Sequence, residues 1–303
     1  MAHRTVPGAG PVSEAHPNYI RQFAFFPYRG PRPEEYVDPA ELGRRAWFSA
    51  LGQLAELAEP EDWTGSGSAT RPLPILDSYV RYTHRRLVME DKIAVTADGT
   101  HAAFNTGLLT SHAEEIFAFF RINDHENAQK WFFLAWLTES SRDLLKHFDD
   151  APLMAEYVKT SSDLVYDWRR ELKIAYDHIL GDNIERFPGD LGSQPLRARQ
   201  ALDAAVNLTL RRLRRNHKIA IPQWYPKLGE AGAQFLMPLD LTGDGTADLA
   251  LVVSAVGERA YRAHTILTLD MAYTNARLVA RPDSDWLAPI AAAVPNVDDG
   301  FED

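Results

Sequence analysis

Three apolar runs decide the fold class: Ala102-Ala-Phe-Asn-Thr-Gly-Leu-Leu109, Ile116-Phe-Ala-Phe-Phe-Arg-Ile122 and Trp131-Phe-Phe-Leu-Ala-Trp-Leu137. Each has strand length, is rich in aromatic and branched residues, and ends at polar or turn-forming residues. Phe117, Phe119 and Phe120 leave no polar side to the middle run, so it is read as a strand buried on both faces. Upstream, Lys92 to Thr96 and the Asp98-Gly99 turn make a hairpin with the first run.

Toward the N-terminus, the spacing of Leu76, Tyr79, Val80, Thr83 and Leu87 after Pro74 predicts a short helix. A second helix starts at Pro39, with Asp38 as N-cap and Glu41 placed for a capping box. Its apolar face is Trp47, Leu51, Leu54 and Ala58, and Pro60 ends it. Residues 1–37 form a proline-rich arm, docked in part through Tyr19, Phe23, Phe25, Phe26 and Tyr28.

Toward the C-terminus, a helix is expected over Glu139 to His147 and another, interrupted near Gly181, over Leu172 to Ile184. Leu202, Val206, Thr209 and Leu213 mark the stripe of a long helix. Strands return at Phe235 to Leu239, Leu249 to Val256 and Tyr261 to Leu269, and Asp270 heads a last helix. The fold class is α+β: a mixed or mainly antiparallel sheet assembled from two blocks, about 91–137 and 219–269, and covered by helices. Residues 38–290 are read as one domain and 291–303 as an acidic flexible tail.

Composition narrows the chemistry. Of 303 residues, 45% are apolar and 24% charged, ordinary values for a soluble globular chain. No residue is cysteine, which removes disulfides, thiolate nucleophiles and Cys-bound metals. The N-terminus lacks the apolar stretch of a signal peptide and no run is long enough to span a bilayer, so a cytoplasmic protein without membrane contact is expected. A net charge of −10 argues against duplex DNA as partner. Locally the balance reverses: Arg197, Arg199, Arg211, Arg212, Arg214, Arg215 and Lys218 stand against Asp203 alone. Cations at a helix C-terminus are favourable without any ligand, so this run is a solvated helix end or an anion site.

Four groups of residues carry candidate chemistry. Asn105 and Gly107 combine an amide with close backbone approach, or form an ordinary strand-end turn. Arg121 and Lys130 border buried strands, where a charge needs solvent, a partner or a ligand. Asn216, Lys218, Gln223, Trp224 and Tyr225 bring positive charge, amides and stacking surface within ten residues. His264, Asp270, Tyr273, Asn275 and Arg277 form the last group, in which Arg277 clamps a phosphate or pairs with a nearby Asp. His264, Asp270 and Glu115 are the acid-base candidates. Gly65-Ser66-Gly67-Ser68 lacks the Gly-Lys-Ser/Thr of a phosphate loop and reads as a surface loop. Asp240, Thr242, Asp244, Gly245 and Asp248 imitate a calcium loop, but Leu251 stands where the twelfth-position Glu belongs; a hairpin loop is the better reading. No metal site and no cofactor is expected.

At Phe104 to Leu108, Lys130 to Phe132, Ile221 to Gln223 and Thr265 to Leu278, the chain resembles an uncharacterised bacterial domain family. The resemblance covers about residues 75–290. Some members of that family are fused to RNA-associated modules, which implies an RNA or nucleotide context.

These residues admit three functions. The first is a hydrolase of a small nucleotide-like phosphoester, with Arg277, Lys130 and Arg121 on anionic oxygens and Asn105 or Asn275 orienting the ligand. The second is a non-catalytic binder of single-stranded RNA or a nucleotide signal, stacked on Trp224 and Tyr225. The third is a protein-interaction domain. A homo-oligomer is compatible with all three.

Overall fold

The computed structural model describes residues 19–31, 37–65, 71–125, 128–225, 234–282 and 285–287. Most of the arm, residues 66–68 of the Gly-Ser loop and the acidic tail lie outside these. The α+β class holds, with mainly antiparallel pairing. The two blocks do not share one sheet, however. Among the described residues each builds its own five-stranded sheet, and contacts divide the chain into two compact units, 1–63 with 69–156 and 64–68 with 157–303.

The first unit opens with α1 (Ile20–Phe23) and β1 (Ala24–Phe25), followed by α2 (Pro39–Leu57), α3 (Pro74–Met89), β2 (Ala94–Val95), β3 (His101–Leu109), β4 (Glu115–Ile122), β5 (Trp131–Thr138) and α4 (Arg142–His147). Its strands run in the order β1-β5-β4-β3-β2, antiparallel except for the parallel β1–β5 pair. The docked part of the arm therefore contributes an edge strand. Residues 116–120 of β4 are all buried, as the Phe-rich run predicts. Phe120 packs edge-on against Phe23, Phe26 and Phe133 and stacks with Phe104. On the opposite face, Ala103, Phe117 and Phe119 form a smaller core with Leu144 of α4.

Pro39 begins α2 as expected, but Asp38 makes no side-chain cap. Glu41 turns instead to Arg44 and Arg45 one turn on, so ion pairing replaces the capping box. Trp47 Nε1 donates to Asp77 Oδ1 at 2.7 Å and ties α2 to α3, which gives the buried Asp77 a partner.

The second unit contains β6 (Glu171–Ile174), α5 (Tyr176–Asp182), α6 (Pro195–Leu213), β7 (Ile221–Gln223), β8 (Gln234–Leu239), β9 (Leu249–Val256), β10 (Ala260–Leu267) and α7 (Leu269–Val279). Strand order is β6-β10-β9-β8-β7, with only the β6–β10 pair parallel. The predicted helix over 172–184 splits into β6 and α5. Exposed Glu171 and Lys173 alternate with half-buried Leu172 and Ile174, a period-two pattern that β10 completes by hydrogen bonding. Leu202, Val206, Thr209 and Leu213 of α6 are buried as expected, and α6 packs with α5 over Phe235, Met237, Leu251, Val253 and Ile266. Helix α7 packs on β7, β9 and β10. Thr268, not Asp270, caps it: Thr268 Oγ1 accepts from the Met271 N–H at 3.4 Å, and Asp270 lies in the first turn.

Among the described residues no helix is long and apolar enough to cross a membrane.

Candidate functional site

In the first unit, the Phe-Asn-Thr-Gly-Leu segment is a bulge in β3, where the β3–β4 register shifts between Asn105 and Leu109. Asn105 is buried, and its amide is used internally. Nδ2 donates to Glu115 Oε2 at 3.0 Å and to the Pro152 carbonyl at 3.2 Å, while Oδ1 accepts from the Gly107 N–H at 2.8 Å. Gly107 has φ +73°, and a Cβ there would lie 2.8 Å from Tyr79 Oη. Glu115 and Asn105 are thus brought together, as partners of each other and of the bulge. Arg121 is ion-paired with Asp124 and stacks over Phe132. Lys130 is exposed, with its Nζ 5.7 Å from the Trp131 ring centroid.

The second unit gathers polar groups across four neighbouring strands. Gln223 on β7 and Gln234 on β8 face one another in register, and Gln223 Nε2 donates to Gln234 Oε1 at 2.9 Å. Gln234 Nε2 in turn donates to Ser254 Oγ on β9 at 2.7 Å and lies 3.4 Å from His264 Nε2 on β10. An amide nitrogen only donates, so this last contact requires His264 Nε2 to accept, as in a neutral ring protonated at Nδ1. Both glutamines are buried, and among the described residues Gln223 Oε1 has no donor. Simple alternation predicts that His264 shares a face with Arg262. A register shift between Ala263 and Thr265 adds a residue there, so that Ala263 and Ile266 both reach the helix-covered core.

Beside this bulge, where β6 has ended and α5 begins, lies a cavity of about 390 Å³ lined by His178, Asp182, Asn183, Arg262, His264 and Thr265. His178 Nδ1 is 3.1 Å from Asp182 Oδ2, one helical turn away. Asn183 Nδ2 donates to the His178 carbonyl at 3.0 Å and holds the end of α5. Arg262 is exposed and has no carboxylate partner among the described residues.

Burial holds the His264 pKa below its ordinary value; hydrogen bonding to the Arg262 backbone opposes this, and the charges of Arg262 and His178 add to it. In the first unit His101 is lowered in the same way, by burial and then by His147, whose ring centroid is 3.9 Å away. For both, the folded pKa lies below the unfolded one, so the unfolded chain takes up protons first. Their stabilisation is complete above the unfolded value of about 6.5 and is lost as pH falls through it toward the folded value. Urea midpoints are expected to drop between pH 7 and pH 5.5, and His264→Gln should reduce the drop. An unchanged drop in that variant would remove His264 from the account.

The remaining candidates are dispersed. Asn216 caps a short 3-10 turn, its Oδ1 accepting from the Lys218 N–H at 3.1 Å. It also lines a second cavity of about 330 Å³ with Arg212, Lys218, Thr246 and Trp286. On α7, Tyr273 is buried while Asp270, Asn275 and Arg277 are half-buried. Trp224 is fully buried and packs on Tyr157, so it offers no stacking face to a nucleic acid; an indole in a strand-flanking core position is covered by its own unit. The Asp240–Asp248 segment is the β8–β9 hairpin loop. Asp240 accepts from the Gly243 and Gly245 N–H groups, and Asp248 from those of Leu241 and Thr242. Among the described residues no cluster of three or more metal-ligating side chains occurs.

A family model described as a domain of unknown function, DUF3825, matches residues 54–286. The chain belongs to that family. The match runs through both units, so the DUF3825 domain includes the Asn105 bulge and the His264 cavity alike. No curated protein and no solved structure matches the chain.

Sequence reading missed Gln234, Ser254, Arg262 and the His178–Asp182 pair as site residues. The i,i+4 spacing of His178 and Asp182 was legible on a helix. Gln234 and Ser254 carried no local signal, because strand order alone aligns them.

Proposed function

We propose that this DUF3825 protein binds a small nucleotide-like phosphoester in the cavity beside His264 and hydrolyses it. The observation that carries this reading is the meeting, in one cavity, of a guanidinium that has no carboxylate partner among the described residues with an imidazole backed by a carboxylate. Arg262 suits a phosphate oxygen, since its fork matches two oxygens at once. With its Nδ1 proton held by Asp182, His178 presents Nε2 as an acceptor. It can then take the proton of a water whose oxygen bonds to phosphorus, as the ester oxygen leaves and is protonated from solvent. His264, anchored by Gln234, supplies a fixed polar wall on which the ligand is oriented.

Arg262→Ala is expected to weaken binding of mono- and dinucleotides about tenfold or more, as for loss of a charge-assisted pair. Thermal shift across a nucleotide panel reads this, because a ligand that binds only the folded state raises its melting temperature. His178→Ala should retain the shift and lose turnover. Retained turnover in that variant would reduce the proposal to binding alone, and a panel with no stabilising nucleotide would end it.

A further inference from the structure

The C-terminal end of α6 presents a second, unrelated arrangement. Trp168 is exposed, at 39% of its full surface, and two guanidiniums lie near its ring, Arg169 at 4.8 Å and Arg214 at 5.4 Å from the centroid. Arg211, Arg212, Arg214 and Arg215 are all exposed, and none has a carboxylate partner among the described residues. Several guanidiniums elsewhere on this acidic protein are matched: Arg44 and Arg45 with Glu41, Arg81 with Asp77, Arg121 with Asp124, Arg197 with Asp190. Beside the patch, Asp167 is taken up by its own neighbours, 3.6 Å from Arg169 and 3.8 Å from Arg170. The negative end of a helix accounts for cations in its last turn. It does not account for a large aromatic left in water among them. The cavity lined by Arg212, Asn216, Lys218 and Asp240 begins at this same helix end.

We propose that this surface binds single-stranded nucleic acid, with a base stacked on Trp168 and successive phosphates on Arg214, Arg211 and Arg215. Stacking needs an unpaired planar base and charge pairing needs closely spaced phosphates; a single strand offers both. A duplex hides its base faces, and the net charge of −10 repels its dense charge. An acidic peptide would satisfy the arginines but leave the indole unused.

The test uses the full chain and fluorescence anisotropy with labelled ten-nucleotide RNA, DNA of the same sequence, the corresponding duplex and a poly-glutamate peptide. Binding of the RNA or of the DNA strand, weakened about tenfold by Trp168→Ala and falling with salt, is the expected result; whichever strand binds more tightly identifies the source. The Arg211→Ala, Arg214→Ala, Arg215→Ala variant should flatten the salt slope by about 2, at roughly 0.7 for each phosphate no longer neutralised. Because all four side chains are exposed, an unchanged melting temperature identifies folded variants. For a variant that melts early, Trp168→Phe provides the alternative, and it should retain most of the binding. The proposal is overturned by failure of both strands to bind at low salt, by tighter binding of the duplex or the peptide, or by an affinity that Trp168→Ala leaves intact.

Discussion

Phe120→Ala is expected to destabilise the first unit by about 3–5 kcal/mol, the usual range for emptying an aromatic site in a packed core. Phe120 has no exposed surface and touches four other rings, those of Phe23, Phe26, Phe104 and Phe133. These rings come from the arm, from β3 and from β5, so the substitution loosens the junction of elements widely separated in sequence. Urea denaturation followed by fluorescence measures the loss. Phe120→Leu should recover a large part of it, since the volume is nearly refilled. A cost below about 1 kcal/mol for Phe120→Ala, well under that range, would mean that the arm and sheet do not depend on one another.

Asn105→Ala has the next largest expected effect, about 3 kcal/mol. It removes three hydrogen bonds in a buried position, one of them to a carboxylate, and leaves the Pro152 carbonyl and the Gly107 N–H without that partner. Gly107 makes the bulge costly to move: its positive φ and the close Tyr79 hydroxyl exclude a side chain. The same measurement separates the structural role from the ligand role expected from the sequence. If Asn105→Ala leaves the urea midpoint unchanged while abolishing nucleotide-induced stabilisation, Asn105 contacts ligand and the bulge account fails.

Both residues also show how far reading the chain could go. The Phe-rich run of β4 announced a strand buried on both faces, because side chains alternate and none of Phe117, Phe119 and Phe120 is polar. The same sequence could not say whether the amide in Phe-Asn-Thr-Gly-Leu faces a ligand or its own backbone. That depends on Glu115 and Pro152, ten and forty-seven residues away.

Local chemistry determined the α+β class, the hairpin turns, the α2 and α6 stripes and the absence of thiol chemistry, since each follows from neighbours within a few residues. Tertiary structure alone decided that the two sheet blocks stay separate, that β6 is a strand rather than helix, and that Trp224 is buried while Trp168 is exposed. It also decided that Gln223, Gln234, Ser254 and His264 form one row. The reason is common to all of these: strand partners are fixed by hydrogen bonds between distant segments, and a one-residue bulge is enough to change which side chains meet.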